Sequence, residues 1–74
     1  MIRLRPRIVA NPAVHHGKPV IEGTRVPVPV VVGHVAAGTP IDEVADEFGV
    51  TKDDILAALA YAADVVAGEE IRAV

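Results

Sequence analysis

The sequence predicts a mainly α fold: a three-helix unit whose last two helices form a helix-turn-helix, preceded by a short N-terminal β-strand and β-hairpin region. Three stretches carry this expectation. Residues 39–54, "TPIDEVADEFGVTKDD", hold two helix starts separated by a glycine stop. Residues 55–67, "ILAALAYAADVVA", are apolar almost throughout. Residues 17–31, "GKPVIEGTRVPVPVV", place three prolines and two glycines among valines, which suits neither a helix nor a central strand.

Taken in order, "RLRPRIV" alternates Arg3, Arg5 and Arg7 with Ile2, Leu4, Pro6 and Ile8, the period of a strand with one buried face. Pro6 lacks a ladder donor and confines that strand to an edge. "NPAVHHGK" reads as a loop, with Asn-Pro to start a turn and Gly17 to allow a positive φ. "PVI-EG-TRV" reads as a hairpin around Glu22-Gly23, and Pro27 and Pro29 hold Val26 and Val28 extended. Residues 30–37 are assigned to a short buried helix, with Pro29 near its first turn and Gly38 as its C′ residue; their valines would equally suit a strand.

Beyond Gly38, Thr39 reads as an N-cap, Pro40 as the first helical residue, and Asp42 and Glu43 as first-turn acids favoured by the helix dipole. Ile41, Val44, Ala45 and Phe48 fall on one face, and Gly49 ends the helix. Thr51 and Asp54 form a capping box with Asp in place of Glu. The last helix is expected over 52–67, with Gly68 as its stop and "EEIRAV" as a frayed tail. The expected organisation is one domain: a strand and hairpin region at 1–29, a helical bundle at 30–67 and a tail at 68–74.

Composition bounds the function. With 74 residues, a lone core supplies only about 3–5 kcal/mol. There is no cysteine, so disulfides and thiolate metal sites are excluded. "MIRLRPRIVANP" lacks a signal-peptide h-region and no apolar run is long enough to span a bilayer, so a cytoplasmic location is expected. The chain is 51% hydrophobic with a mean hydropathy of +0.40, and its only large aromatics are Phe48 and Tyr61. That much aliphatic surface in a short chain favours a homodimer.

Charge is divided. Residues 1–25 carry Arg3, Arg5, Arg7, Lys18 and Arg25 against Glu22, a net +4; residues 26–74 carry Lys52 and Arg72 against nine acids, a net −7. The basic end reads either as a DNA-contacting arm of Arg3, Arg5, Arg7, Lys18 and Arg25 or as a solvated strand face. The last helix is poorly suited to reading bases. Asp53 and Asp54 would meet phosphates with like charge, and Leu56 and Ala60 offer no base-edge hydrogen bonds. An all-round apolar helix is covered on all sides, which makes Leu56, Leu59, Ala60, Tyr61 and Ala63 the candidate partner-binding positions. "GKP" lacks the rest of a P-loop. His15, His16 and His34 match no common zinc spacing. No nucleophile, base and orienting acid are arranged together, so neither an enzyme nor a cofactor is expected.

The runs "NPAVHHGKPVIEGTRVPV" and "AAGTPIDEVADEFGVTKDDILAALAYAA" resemble the prokaryotic family termed domain of unknown function 433, over about residues 7 to 66. The resemblance implies a homeodomain-like helix-turn-helix behind a hairpin region, with Gly17, Lys18, Pro19, Gly23, Thr24, Arg25 and Pro27 as signature positions. It departs at His15-His16, where relatives more often carry a Cys or small residue and a Gly. It also implies an antitoxin-like role beside a PIN-like ribonuclease toxin, with operator DNA as a further partner. Arg25, or Arg72 in the tail, would then be the side chain inserted among the toxin's metal-binding carboxylates. A homodimeric interaction module with no DNA role is the alternative.

Overall fold

The protein, described by a computed structural model over residues 1–73 with side chains over 1–68, is α+β and not mainly α. Three antiparallel strands, β1 (Ile2–Arg5), β2 (Ile8–Ala10) and β3 (Pro19–Ile21), form a sheet of order β1-β2-β3. Three helices follow: α1 (Val28–Ala36), α2 (Ile41–Phe48) and α3 (Lys52–Ala73). The sheet escapes a sequence reading because β2 and β3 have only three residues each, too few to show a period of two. The pairing is also non-local. β3 pairs with β2 through Ile8↔Ile21, Val9↔Val20 and Ala10↔Pro19, and the expected hairpin return over Thr24–Val26 shrinks to a single bridge, Val20↔Pro27.

The three arginines do not share one face. A β-bulge in β1 pairs Arg3 with Val9 but Arg5 with Ile8. Adjacent residues of β2 point to opposite sides of the sheet, so Arg3 and Arg5 do as well. Nor is the apolar side of β1 buried: Ile2 is 66% and Leu4 39% exposed. β1 is an edge strand, as Pro6 implied, and the proline itself sits in the turn to β2. That turn is Pro6-Arg7, with Arg7 at φ 73. Proline in its first position and a positive φ in its second describe a type II turn, which ordinarily takes glycine where Arg7 stands. Arg7→Gly is therefore expected to cost about 1 kcal/mol less than Arg7→Ala, both having lost the side chain, because only alanine keeps the left-handed strain. Equal urea midpoints for the two variants would remove the strain.

The core is Ile8 and Ile21 from the sheet, Val28 and Val31 from α1, Val44 and Ala45 from α2, and Ile55 and Ala58 from α3, with Phe48, Val35 and Leu59 packed around it. α1 begins at Val28 with Pro27 as N-cap, two residues ahead of the expected start, and Gly38 follows its end at φ 97. For α2 the N-cap is Pro40, not Thr39. Gly49 stops it at φ 66, its N–H bonding to the carbonyl of Ala45, as does that of Val50. This is the left-handed exit that glycine takes without a Cβ penalty. At α3 the capping box forms in both directions: the Asp54 N–H donates to Thr51 Oγ1 at 3.1 Å, and the Thr51 N–H to Asp54 Oδ2 at 3.0 Å.

α3 passes through Gly68 and runs to Ala73, 22 residues in all. A helix-interior glycine costs about 1 kcal/mol relative to alanine but does not block the hydrogen-bond ladder. Among the described residues no helix is long and apolar enough to cross a membrane.

Candidate protein-interaction surface

The basic N-terminus and the acidic helices meet inside one molecule. Arg3 grips Glu22 in a fork, Nη1 to Oε1 at 2.8 Å and Nη2 to Oε2 at 2.6 Å. Arg5 donates to Asp64 at 2.9 Å, and Arg7 to Asp54 at 2.9 Å with Asp53 at 4.0 Å. The charge split along the sequence is thus largely a set of internal pairs tying the first hairpin to α3 and to the end of β3. Burial by itself would raise the Asp54 carboxyl. The Thr51 backbone N–H outweighs it, together with the Arg7 guanidinium and the Thr51 hydroxyl, and the group is held below the ordinary value of 3.8.

Two of the five candidate DNA-contacting residues stand apart. Lys18 and Arg25 are exposed and have no carboxylate within 4.0 Å among the described residues. They flank a left-handed turn in which His15, His16 and Gly17 have φ of 47, 56 and 83, and His15 Nε2 lies 2.9 Å from the Arg25 carbonyl oxygen. The position of His16, where the resemblance places a glycine, has the backbone that glycine adopts freely. Thr24 holds the neighbouring turn: its hydroxyl donates to the Ile21 carbonyl at 2.7 Å and accepts from the Val26 N–H at 3.0 Å. His34 is half-buried, edge-on to Phe48 at a centroid distance of 5.2 Å.

An apolar groove of about 280 Å³ opens on the surface. Pro19, Val28, Pro29 and Val32 form one wall, and Tyr61, Ala62, Val65 and Val66 of α3 form the other; among the described residues the walls present no polar surface. Its origin lies in the spacing of α3. Ile55, Ala58, Leu59, Ala62, Val65 and Val66 recur at intervals of three and four, one stripe along the helix. The stripe is fully buried at Ile55 and Ala58, partly covered at Leu59 and Ala62, then 43% exposed at Val65 and 53% at Val66. The core stripe outruns the elements that cover it.

Of the expected partner-facing residues, Tyr61 lines the groove. Leu59 packs against the core, Ala60 is half-buried, and Leu56 and Ala63 are exposed without lining the groove. Arg72 lies beyond the described side chains. Val65 and Val66 were readable from the stripe. Pro19, Val28, Pro29 and Val32 were not, because only the packing of α1 beside α3 brings them there.

A solved crystal structure, Rv2018 from Mycobacterium tuberculosis, is similar to this chain at 40% identity and a TM-score of 0.66. The similarity covers 70% of this chain and 24% of that one, so the matched stretch is about a quarter of a longer polypeptide there. No curated protein matches. The family model described as protein of unknown function (DUF433) matches residues 8–62, from β2 to the middle of α3. That stretch contains both walls of the groove as far as Ala62 and every signature position of the 17–27 segment, and the chain belongs to the DUF433 family.

Proposed function

We propose that the protein is a protein-interaction module of antitoxin type, with the groove between α1 and α3 as its docking surface. The groove itself carries this reading. Sites for small ligands set a few polar groups among apolar walls to fix orientation; a wholly apolar hollow beside exposed valines suits the apolar side chains of another protein. The antitoxin form of the reading, neutralising a PIN-like ribonuclease, draws on the family resemblance and on the acidic, apolar C-terminal half. Co-expression with the product of the adjacent reading frame tests it. The intact chain is expected to protect the cell and co-purify, while Val65→Asp gives neither. Protection unaffected by that variant would remove the groove from the reading.

A DNA role has one observation in its favour, that Lys18 and Arg25 have no carboxylate partner among the described residues. Lys18→Gln and Arg25→Gln are each expected to flatten the slope of log K against log salt by about 0.9 on any duplex, while Arg3→Gln leaves it unchanged because that guanidinium is held by Glu22. A slope that responds to Arg3 and not to Lys18 or Arg25 would return the DNA contact to the first hairpin.

A further inference from the structure

Resting on the groove as a docking surface, we infer that the protein seated in it is a second copy of this chain, so that the antitoxin-type unit is a dimer whose two α3 helices pack antiparallel across a twofold axis. Three observations select this occupant. First, the molecule is too open for a free-standing domain of its size. Its accessible surface is 4781 Å², against about 4,300 Å² for a compact monomer of 7.7 kDa. Its radius of gyration is 12.4 Å, against about 11.3 Å for 74 residues. Second, neither a disulfide nor a metal centre of the described residues supplements a small aliphatic core. The chain has no cysteine, and the described residues contain no cluster of metal-ligating side chains.

Third, the patch is self-complementary. An isologous contact needs one surface holding both a hollow and the side chains that fill it. Here the hollow between Val28, Pro29, Val32 and Tyr61 lies beside Val65 and Val66, which stand out from the same helix stripe. A twofold axis near Val65-Val66 brings each valine pair to the partner's hollow. Among the described residues no charged side chain lines the groove, and the nearby Asp64 is held by Arg5 of its own chain, so those residues put no charge on the patch between two identical acidic chains. Antiparallel helices also set their dipoles in opposition.

Sedimentation of the full chain at micromolar concentration is expected to give about twice the 7.7 kDa chain mass. Val66→Asp alters a side chain that is already 53% exposed, so the subunit is expected to keep its helical circular dichroism while the dimer dissociation constant rises at least ~30-fold, the size of a hot-spot loss. Leu56→Asp, on the same helix but off the groove, is expected to remain dimeric. A folded monomer of the intact chain, or a dimer that Leu56→Asp splits and Val66→Asp does not, overturns the proposal. A monomer that captures the neighbouring gene product through Val66 also overturns the second copy but leaves the docking reading standing. A monomer whose partner binding ignores Val65 and Val66 removes both.

Discussion

Ile55→Ala is expected to cost about 3–4 kcal/mol, a large share of the stability of this domain. Ile55 is fully buried, with Ile8, Ile21, Val31 and Val44 in the same cluster from four other elements. Truncating such a side chain loses its transfer energy and leaves a cavity that the surroundings only partly fill, typically about 2–5 kcal/mol. Set against about 4–11 kcal/mol for a chain of this length, the variant is expected to be partly unfolded at 37 °C. Ile55→Val should lose only about 1 kcal/mol. Urea melts at one fixed protein concentration check both, since association contributes to the apparent stability. A loss below about 1 kcal/mol for Ile55→Ala would show that α3 can collapse onto the sheet, and that this residue is not the keystone its burial implies.

Asp54→Ala is expected to cost about 0.5–3 kcal/mol although the residue lies outside the core. Its carboxylate closes the α3 cap by accepting from the Thr51 N–H and also holds Arg7 at 2.9 Å. A lost cap is worth about 0.5–2 kcal/mol, and a pair whose arginine is 48% exposed adds less than about 1 kcal/mol. The effect is also pH-dependent. Because the folded carboxyl sits below 3.8, the unfolded chain binds the proton more readily. The stabilisation is therefore complete above the ordinary carboxylate range and is lost as pH falls through the folded value. The stability gap between the protein and Asp54→Ala should be flat from pH 7 to about pH 5 and shrink below about pH 4. A gap that stays constant down to pH 3 would mean that Asp54 acts through packing and not through its charge.

How much was legible can be judged from particular residues. Thr51 with Asp54, Gly49 at the end of α2, Gly38 after α1 and the inward row Ile41, Val44, Ala45 and Phe48 were all readable, and each is a local matter. A cap, a left-handed exit or a helical stripe depends on residues within about one or two turns, so the chain encodes it where it stands. The helical run itself was equally plain. Its end was not, because glycine at 68 only taxes a helix, and the two copies of the pattern "glycine after an apolar run", at 38 and 68, look alike in sequence while only the first is left-handed.

The sequence by itself determined the helical runs of α2 and α3, the capping box of Thr51 and Asp54, the glycine exits at 38 and 49, the edge position of β1 and the apolar character of α3. Tertiary structure alone decided the sheet, the sides on which the arginines lie and the groove. β2 and β3 are three-residue strands whose partners are about ten residues away, and strand pairing is a contact between segments that leaves almost no periodicity in either. The bulge between Arg3 and Arg5 is invisible in "RLR", yet it sends one arginine to Glu22 and the other to Asp64, 59 residues on. What read as a free basic arm is in large part an internal strap, because an ion pair forms wherever the fold brings opposite charges together and sequence distance has no bearing on it. The groove follows the same rule. Its α3 wall is written in the spacing of Ala62, Val65 and Val66, but its other wall exists only once α1 has packed beside them.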